Sequence, residues 1–206
     1  MLSDARGKAV MQGLNSFPTD LLGKGGNFVL FHLLWGAAIF GAAAGTNLWS
    51  ALTLGIMIVQ GLTVTRRWRV DALLIVSGML VGVVFEVLLL QTGSIAYALQ
   101  EVSWLPPFWI MALWIGLAQS FNHSMNWLTR YYLLAALLGA IGSVASVFSG
   151  IHFGAAQTSN PLLLGLVYAL GWGMLIPFFA WITNRLNGRF SKDDEIVSKE
   201  ALENHE

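Results

Sequence analysis

The sequence predicts an all-α protein, a polytopic bundle of six transmembrane helices with both termini in the cytoplasm. Three observations lead to this fold class. First, 56% of the residues are hydrophobic and only 11% are charged, whereas about a quarter of a soluble domain is charged. Second, the apolar residues fall in six runs, each near the length that crosses about 30 Å of hydrocarbon. Third, lysine and arginine occur only at the termini and in alternate connections between those runs.

The six apolar runs are the predicted spans, and they set the domain organisation. In chain order they are Asn27–Ala44, Leu48–Val64, Asp71–Gln91, Trp104–Trp127, Tyr132–Ile151 and Pro161–Thr183. A polar leader over residues 1–26 precedes the transmembrane domain of residues 27–185, and a polar tail over residues 186–206 follows it. Because Ser191–Glu206 is polar and mixed in charge, we expect it to be solvated and partly disordered.

Only residues 45–47 separate the first two runs, so hydropathy alone leaves open one long bent segment or a re-entrant hairpin. Charge decides between these alternatives. With six spans, all 11 lysines and arginines lie on one side, and the connections 45–47, 92–103 and 152–160 contain none. The positive-inside rule predicts this asymmetry for a bacterial inner-membrane protein whose termini are cytoplasmic. Omitting one span would scatter the basic residues over both faces.

Composition excludes several kinds of partner and chemistry. The net charge is zero, so no basic field favours a nucleic acid. The sequence has no cysteine, which excludes disulfides, thiolate metal sites and cysteine nucleophiles. His123 and His152 fall at opposite ends of their spans, roughly a bilayer thickness apart, and so do not share a metal ion. We therefore expect no metal site and no cofactor.

The third span carries the one carboxylate that lies well inside an apolar run. Gly78, Gly82 and Glu86 are four residues apart, so they share a face that packs against another helix. Glu86 lies about 22 Å along the span by helical rise, and no lysine or arginine lies inside a span to neutralise it. It is a candidate proton-binding site; the alternative is a neutral, hydrogen-bonded carboxyl that only joins helices. Its expected neighbours are Ser143, Ser146, Ser149, His152 and Glu101.

The fourth span begins with Pro106 and Pro107, which a first helical turn tolerates. Beyond them, polar residues follow spacings of three and four: Gln119, Asn122, His123, Asn126 and Arg130. At about 100° per residue they form a polar stripe along one side of the helix, in its cytoplasmic half. Because His32, Gln60 and Asp71 lie at a similar depth, the stripe predicts a polar chamber that faces the cytoplasm. The alternative is that these side chains only cross-link helices, by hydrogen bonds worth about 1 kcal/mol each.

Two further features concern packing. Small residues recur at a four-residue spacing in Gly41–Gly45, Gly78–Gly82, Gly139–Ser143 and Ser146–Gly150. This spacing allows close helix contact in lipid, within the chain or against a membrane partner or a second copy. Pro177 inside the sixth span predicts a kink.

A group of short motifs resembles a known family. The motifs are LPPFW at residues 105–109, FNHSMNWL at residues 121–128, and then Ser149-Gly150, His152 and Gly154-Ala155. Over most of residues 27–185 the chain resembles the bacterial inner-membrane proteins classed as domain of unknown function 2878, while the leader and tail depart from that pattern. The resemblance brings no established activity, but it implies an association with membrane-lipid modification. It also adds weight to Asn122 and His123, because the family-like segment coincides with the polar stripe.

Three hypotheses from different classes follow, and whether the protein is an enzyme stays open. The first is a lipid-modifying or lipid-handling protein whose partner is a membrane lipid, with His123 as acid or base and Asn122 and Asn126 beside it as candidate catalytic residues. The second is a small proton-linked carrier or channel that uses Glu86 and the stripe. The third is a structural subunit of a membrane complex. The candidate binding residues are His32, Gln60, Gln119, Glu86 and His152.

Overall fold

The computed structural model describes residues 21–64 and 68–203, with side chains described for residues 23–64 and 68–191. Helices make up most of this part of the chain, which confirms the predicted all-α class. The first 20 residues of the predicted leader lie outside the described residues, as do Arg66 and Arg67 of the basic connection.

Six α-helices occur within the described residues, close to the six predicted spans. They are α1 (Gly26–Ala43), α2 (Leu48–Val64), α3 (Trp68–Gln91), α4 (Phe108–Ser120), α5 (Tyr132–His152) and α6 (Pro161–Glu203). A π-helical turn at Leu21–Gly25 precedes α1, and a 3-10 helix at Asn126–Arg130 precedes α5. Two short strands, β1 (Ala96–Tyr97) and β2 (Ala156–Gln157), pair antiparallel between the helices.

Four of the helical segments are long and apolar enough to cross a membrane: Gly23–Ala43, Trp68–Gln91, Tyr132–His152 and Pro161–Ser191. The helices α2 and α4 are shorter, at 17 and 13 residues. Large apolar side chains cover the outside of the bundle, and Leu80, Leu133 and Leu162 are 65%, 76% and 76% exposed. A soluble monomer rarely exposes so much apolar surface. The chain therefore has the character of a helical membrane protein.

The predicted fourth span, Trp104–Trp127, is wrong at both ends because α4 covers only Phe108–Ser120. At its start, Pro107 is extended with ψ 161°, and a proline disfavours the helical conformation of the residue before it. At its end, the amides of Asn122 and His123 bond to the carbonyls three residues back, at 3.1 and 3.0 Å. These tighter turns end the helix after about 20 Å of rise.

The short helix α4 occupies the centre of the bundle. It packs against α1, α2 and α3, and nine of its 13 residues are buried. A segment surrounded by protein can keep non-helical ends at membrane depth, because other side chains satisfy its backbone groups. Against α3 the approach is close: a Cβ at Gly82 would lie 2.6 Å from the Trp114 ring, and one at Gly78 would lie 2.6 Å from the Ala118 Cβ. This contact is on the Gly78–Glu86 face, as the four-residue spacing predicts.

Successive helices run in opposite directions, so the bundle has two ends. The basic end holds Lys24, Arg69 and Arg130, at the start of α1, the start of α3 and the connection before α5. The sheet end holds the paired strands β1 and β2. From the sheet end, α6 runs to the basic end and continues to Glu203. The final helix therefore extends past Thr183, where the predicted sixth span ends, and includes the start of the predicted tail.

The Gly82 contact generates a stability prediction. We expect Gly82→Leu to force the Trp114 ring out of place and to lower the free energy of unfolding by about 1–3 kcal/mol, as overpacking of a filled core does. The matched control is Gly55→Leu on α2, where an added Cβ meets no atom within 4 Å. The midpoint of thermal unfolding in detergent measures both variants. Equal midpoints would contradict the close α3–α4 contact.

Candidate functional site

A cavity of about 460 Å³ lies between α1, α4, α5 and α6, with Glu86 of α3 at its wall. Most of the residues that line it are apolar or aromatic. On α1 the lining extends from Phe28 to Ile39, which is about 16 Å of helical rise. Gly150 of α5 shows how open the interior is, because it is buried yet an added Cβ would meet no atom within 4 Å.

The cavity opens sideways, between α1 and α5, through a mouth defined by five exposed lining residues: Phe28, His32, Trp127, Leu138 and Gly142. Within the described residues, α5 packs closely against α6 but not against α1. Two contacts bridge α1 and α5 on the sheet-end side of the mouth. Trp35 Nε1 donates a hydrogen bond to Ser146 Oγ at 2.8 Å, and the rings of Phe40 and Phe153 are 4.8 Å apart.

The opposite, closed end of the cavity contains a buried polar cluster, here named the Glu86 cluster and made of Glu86, Tyr97, Trp114 and Tyr168. Tyr97 donates its hydroxyl hydrogen to Glu86 Oε2 at 2.5 Å. Trp114 Nε1 donates to Glu86 Oε1 at 3.1 Å. The hydroxyls of Tyr97 and Tyr168 are 2.9 Å apart, and when Glu86 is ionised and accepts the Tyr97 hydrogen, Tyr168 is the donor of this second bond. Four parts of the chain, α3, β1, α4 and α6, thus meet at one carboxyl.

Aromatic rings surround this cluster. Trp114 and Trp172 stack with ring centroids 4.5 Å apart and planes 22° apart. Tyr97 meets Trp109 edge to face at 5.6 Å, and Trp109 Nε1 donates to the backbone oxygen of Ala98 at 2.9 Å. Trp109, Trp114 and Trp172 all line the cavity, so its closed end is a carboxyl set in an aromatic wall.

A second polar cluster lies at the basic end, about 22 Å along α3 from Glu86 by helical rise. We name it the Asp71 cluster. Asn122 Nδ2 donates to Asp71 Oδ1 at 2.6 Å, His123 Nε2 lies 3.0 Å from Asp71 Oδ2, and Asn187 Nδ2 donates to Asn122 Oδ1 at 3.1 Å. The turn that ends α4 makes this possible, because it brings Asn122 and His123 to the start of α3. The pairing joins α3, α6 and the segment after α4.

The arrangement of the predicted stripe differs from the expectation. Of the five stripe residues only Gln119 lies in α4, because the helix ends at Ser120. Gln119 donates to the backbone oxygen of Met57, and Asn126 donates to that of Phe121. Asn122 and His123 reach Asp71 instead, as a turn and not as a helical face.

The predicted cytoplasmic chamber is not formed as expected either. His32 is exposed at the mouth of the cavity, with its Nδ1 2.8 Å from the backbone oxygen of Phe28. Gln60 Nε2 donates to the backbone oxygen of Gly23 at 3.2 Å. His123 is 6% exposed and does not line the cavity. A histidine held by a carboxylate suits proton transfer, but this one lies apart from the space that would admit a substrate.

The hydrogen-bond partners of Glu86 are not the neighbours that the sequence predicts, although Ser143 and Ser146 line the same cavity. Ser143 donates to backbone oxygens of Ala140 and Tyr168, Ser146 accepts from Trp35, and Ser149 donates to the Ala145 carbonyl. His152 and Glu101 are exposed. The partners of these three serines therefore lie on α5 itself, on α6 and on α1 across the mouth, and not at the carboxyl of Glu86.

Sequence analysis missed the actual partners, Tyr97, Trp114 and Tyr168. One signal was present: Glu86 lies five residues before the end of α3 and Tyr168 seven residues after the start of α6, which are similar depths by helical rise. Trp114 lies inside an apolar run, so no polar residue in the sequence marks its position as part of a site. Tyr97 is in a connection, where no periodicity marks it, and the pairing of β1 with β2 folds it back into the protein.

The described part of the chain contains no set of side chains that could serve as the ligands of a metal ion. No group of three or more histidine, aspartate or glutamate side chains there is arranged to hold a metal ion. The Asp71 and His123 pair offers two ligands, and tetrahedral or octahedral sites need more. What the two clusters provide is hydrogen bonding and, at the Glu86 cluster, a carboxyl that faces an enclosed space.

Comparison with known proteins identifies one family. The protein-family model described as "Protein of unknown function (DUF2878)" matches residues 24–178 of the chain. The match includes every residue of the cavity wall and all of the Glu86 cluster. No curated protein and no solved structure matches the chain.

The Asp71 cluster generates a second prediction. We expect Asp71→Ala to leave Asn122 Nδ2 and His123 Nε2 without their acceptor and to lower the free energy of unfolding by about 1–3 kcal/mol. Ser77→Ala, on the same helix, is the control because Ser77 Oγ bonds only to the carbonyl of Leu73 one turn back, so we expect a smaller effect. Thermal unfolding in detergent compares the two. Asp71→Ala with a midpoint equal to that of the wild type would show that the cluster does not hold the basic end together.

Proposed function

The chain belongs to the DUF2878 family, whose description states no function, and from that premise we propose that it binds a lipid-like molecule in its cavity and acts in the handling of membrane lipids. The observation that carries this proposal is the apolar cavity with its sideways mouth. The helical membrane character of the chain supports the proposal, because a mouth on the side of a membrane bundle faces lipid and not water.

The size and lining of the cavity suit an apolar ligand. Its volume of about 460 Å³ lies within the range of about 300–1,000 Å³ that is usual for small-molecule sites, which are mostly apolar with a few placed polar groups. Its extent of about 16 Å along α1 equals about half of a hydrocarbon core that is about 30 Å thick. One lipid chain of a single leaflet is therefore of the right length.

The route of entry supports a ligand from the bilayer. The mouth is lined by Phe28, Leu138 and Gly142, with His32 and Trp127 toward the basic end. Tryptophan and histidine combine an apolar body with a polar tip and suit the membrane interface. A molecule dissolved in the bilayer reaches the cavity between α1 and α5 without crossing water.

We further propose six crossings with the basic end in the cytoplasm. The helix α2 rises about 25 Å and α4 about 20 Å, so α4 crosses only together with its buried, non-helical flanks. Lys24, Arg69 and Arg130 share the basic end, and the sheet-end connections 44–47, 92–107 and 153–160 contain no lysine or arginine. The positive-inside rule then favours a cytoplasmic basic end.

The lipid-binding proposal predicts the effect of filling the cavity. We expect the double variant Gly142→Phe with Gly150→Phe to copurify with at least about fivefold less lipid than the wild type, because each new ring occupies space that the ligand needs. Native mass spectrometry of the purified protein, followed by extraction and identification of bound molecules, measures the difference.

The matched control is Gly55→Phe with Gly188→Phe. Both positions are helical glycines where an added Cβ meets no atom within 4 Å, and neither lines the cavity. This control should retain the lipid of the wild type. Equal lipid content in the wild type and the cavity-filled variant would contradict the proposal.

The topology has its own test, which the absence of cysteine makes clean. In intact cells we expect Asn47→Cys to react with a membrane-impermeant maleimide added outside, and Gly188→Cys to react only after the membrane is opened. Asn47 lies between α1 and α2 at the sheet end, whereas Gly188 is an exposed residue of α6 near the basic end. Reaction of both cysteines from the same side would refute six crossings.

A further inference from the structure

We propose that the closed end of the cavity binds the ammonium group of a lipophilic cation, with Glu86 as its counter-ion and the aromatic wall as its cage. The inference rests on the proposed function, since the apolar part of the ligand occupies the same cavity. It adds the chemical class of the ligand and names the residue that selects it.

The first argument is a count of hydrogen-bonding groups at the closed end. Tyr97 gives its hydrogen to Glu86, Tyr168 gives its own to Tyr97, and Trp114 gives its N–H to Glu86. Trp109 gives its N–H to a backbone oxygen. Each carboxyl oxygen of Glu86 accepts one such bond and has a further lone pair. The closed end therefore offers the further lone pairs of Glu86 to a ligand, while the hydrogens of these four aromatic side chains are in use and the indole N–H of Trp172, which also lines this end, has no partner among the described residues.

The second argument is charge. Glu86 is 2% exposed, and a carboxyl buried in this way either stays neutral or ionises beside a compensating charge. Its protein partners are the neutral side chains of Tyr97 and Trp114. No lysine or arginine of the described residues lines the cavity, and the histidine that does, His32, lies at the mouth. A ligand cation would supply the positive charge that these elements do not.

The third argument is the aromatic wall. Tyr97, Trp109, Trp114, Tyr168 and Trp172 line the same end of the cavity as Glu86. A ring face attracts a cation within about 6 Å of its centroid, by about 0.5–1 kcal/mol at exposed sites and about 2 kcal/mol when water is excluded. Aromatic rings joined to a carboxylate are the combination by which proteins recognise organic ammonium groups. An anion meets repulsion from Glu86, and a neutral alcohol gains a hydrogen bond but no ionic attraction.

The fourth argument is position. Glu86 lies five residues before the end of α3, or about 8 Å by helical rise, which places its carboxyl in the sheet-end half of the helix. A cation held there would direct its apolar chain down the cavity toward the mouth between α1 and α5. This is the orientation of an amphiphile in the sheet-end leaflet.

Three probes with the same dodecyl chain test the assignment: dodecyltrimethylammonium, 1-dodecanol and dodecanoate. The purified full-length protein in a non-ionic detergent is mixed with equal amounts of the three, and native mass spectrometry counts the bound probes. We expect the ammonium probe to occupy most of the protein. Preferential binding of the alcohol or the carboxylate would overturn the assignment, and this comparison needs no variant.

Substitution of the counter-ion provides the second part of the test. We expect Glu86→Gln, which keeps the shape of the side chain, to lower the affinity for the ammonium probe by about tenfold or more. The affinity for 1-dodecanol should change little, since only the cation loses an ionic partner. Glu101→Gln is the control, because Glu101 is exposed in the connection that also carries Tyr97. A single peak that elutes from size-exclusion chromatography at the volume of the wild type verifies that each variant folds. Equal affinity of Glu86→Gln and the wild type for the ammonium probe would overturn the assignment.

The outcomes separate this inference from the proposed function. If all three probes bind equally and the Gly142→Phe, Gly150→Phe variant binds none, the lipid cavity stands and the cation site fails. If no probe binds and no lipid copurifies, both fail. If the ammonium probe binds in preference to the other two, phosphatidylethanolamine is added to identify the source of the cation. Displacement of the probe assigns the site to a lipid headgroup amine, and retention of the probe assigns it to a free amphiphilic amine.

Discussion

The side chain of Trp114 is the contact on which the rest of the bundle depends. Its ring fills the space that Gly82 leaves on α3 and stacks on Trp172 of α6, and its N–H orients the carboxyl of Glu86. The helices α3, α4 and α6 are thereby fixed at one point. Because an indole has a single donor, the carboxyl must lie where that donor points. Glycine at residue 82 and tryptophan at residue 114 thus form one packing unit, and the position of the polar cluster follows from it.

The cavity is a consequence of the same architecture. Since α4 is short and central, it supports α1, α2 and α3, while α5 and α6 pack mainly on each other and on the elements around them. The space between α1 and α5 is left without close backbone contact. Most of the side chains that line this space are apolar or aromatic, and no hydrophobic force in a bilayer closes a gap between two helices that lipid can occupy.

The sequence predicted the helices better than it predicted what they bring together. Hydropathy placed α2 at the observed residues and α3 within a few residues, because the apolar runs are long and bounded by polar or basic residues. It failed at α4, because the polar residues after Ser120 keep a helical spacing while the backbone turns, and this turn brings Asn122 and His123 to Asp71. Glu86 was identified from its isolation in an apolar run. Its partners were not, because spacing reports the faces of one helix, whereas Tyr97 arrives through strand pairing between two distant connections.

The bridge between Trp35 and Ser146 has a kinetic consequence. Within the described residues it is the polar contact that joins α1 to α5, with the Phe40 and Phe153 rings beside it. One neutral hydrogen bond between membrane helices contributes about 0.6 kcal/mol on average, which is near the thermal energy. This bond and the ring contact are therefore weak compared with the packing that holds α1 on α2 and α4 and holds α5 on α6. If the cavity binds a molecule as we propose, the residence time of that molecule would depend on its own contacts at the closed end more than on this bridge.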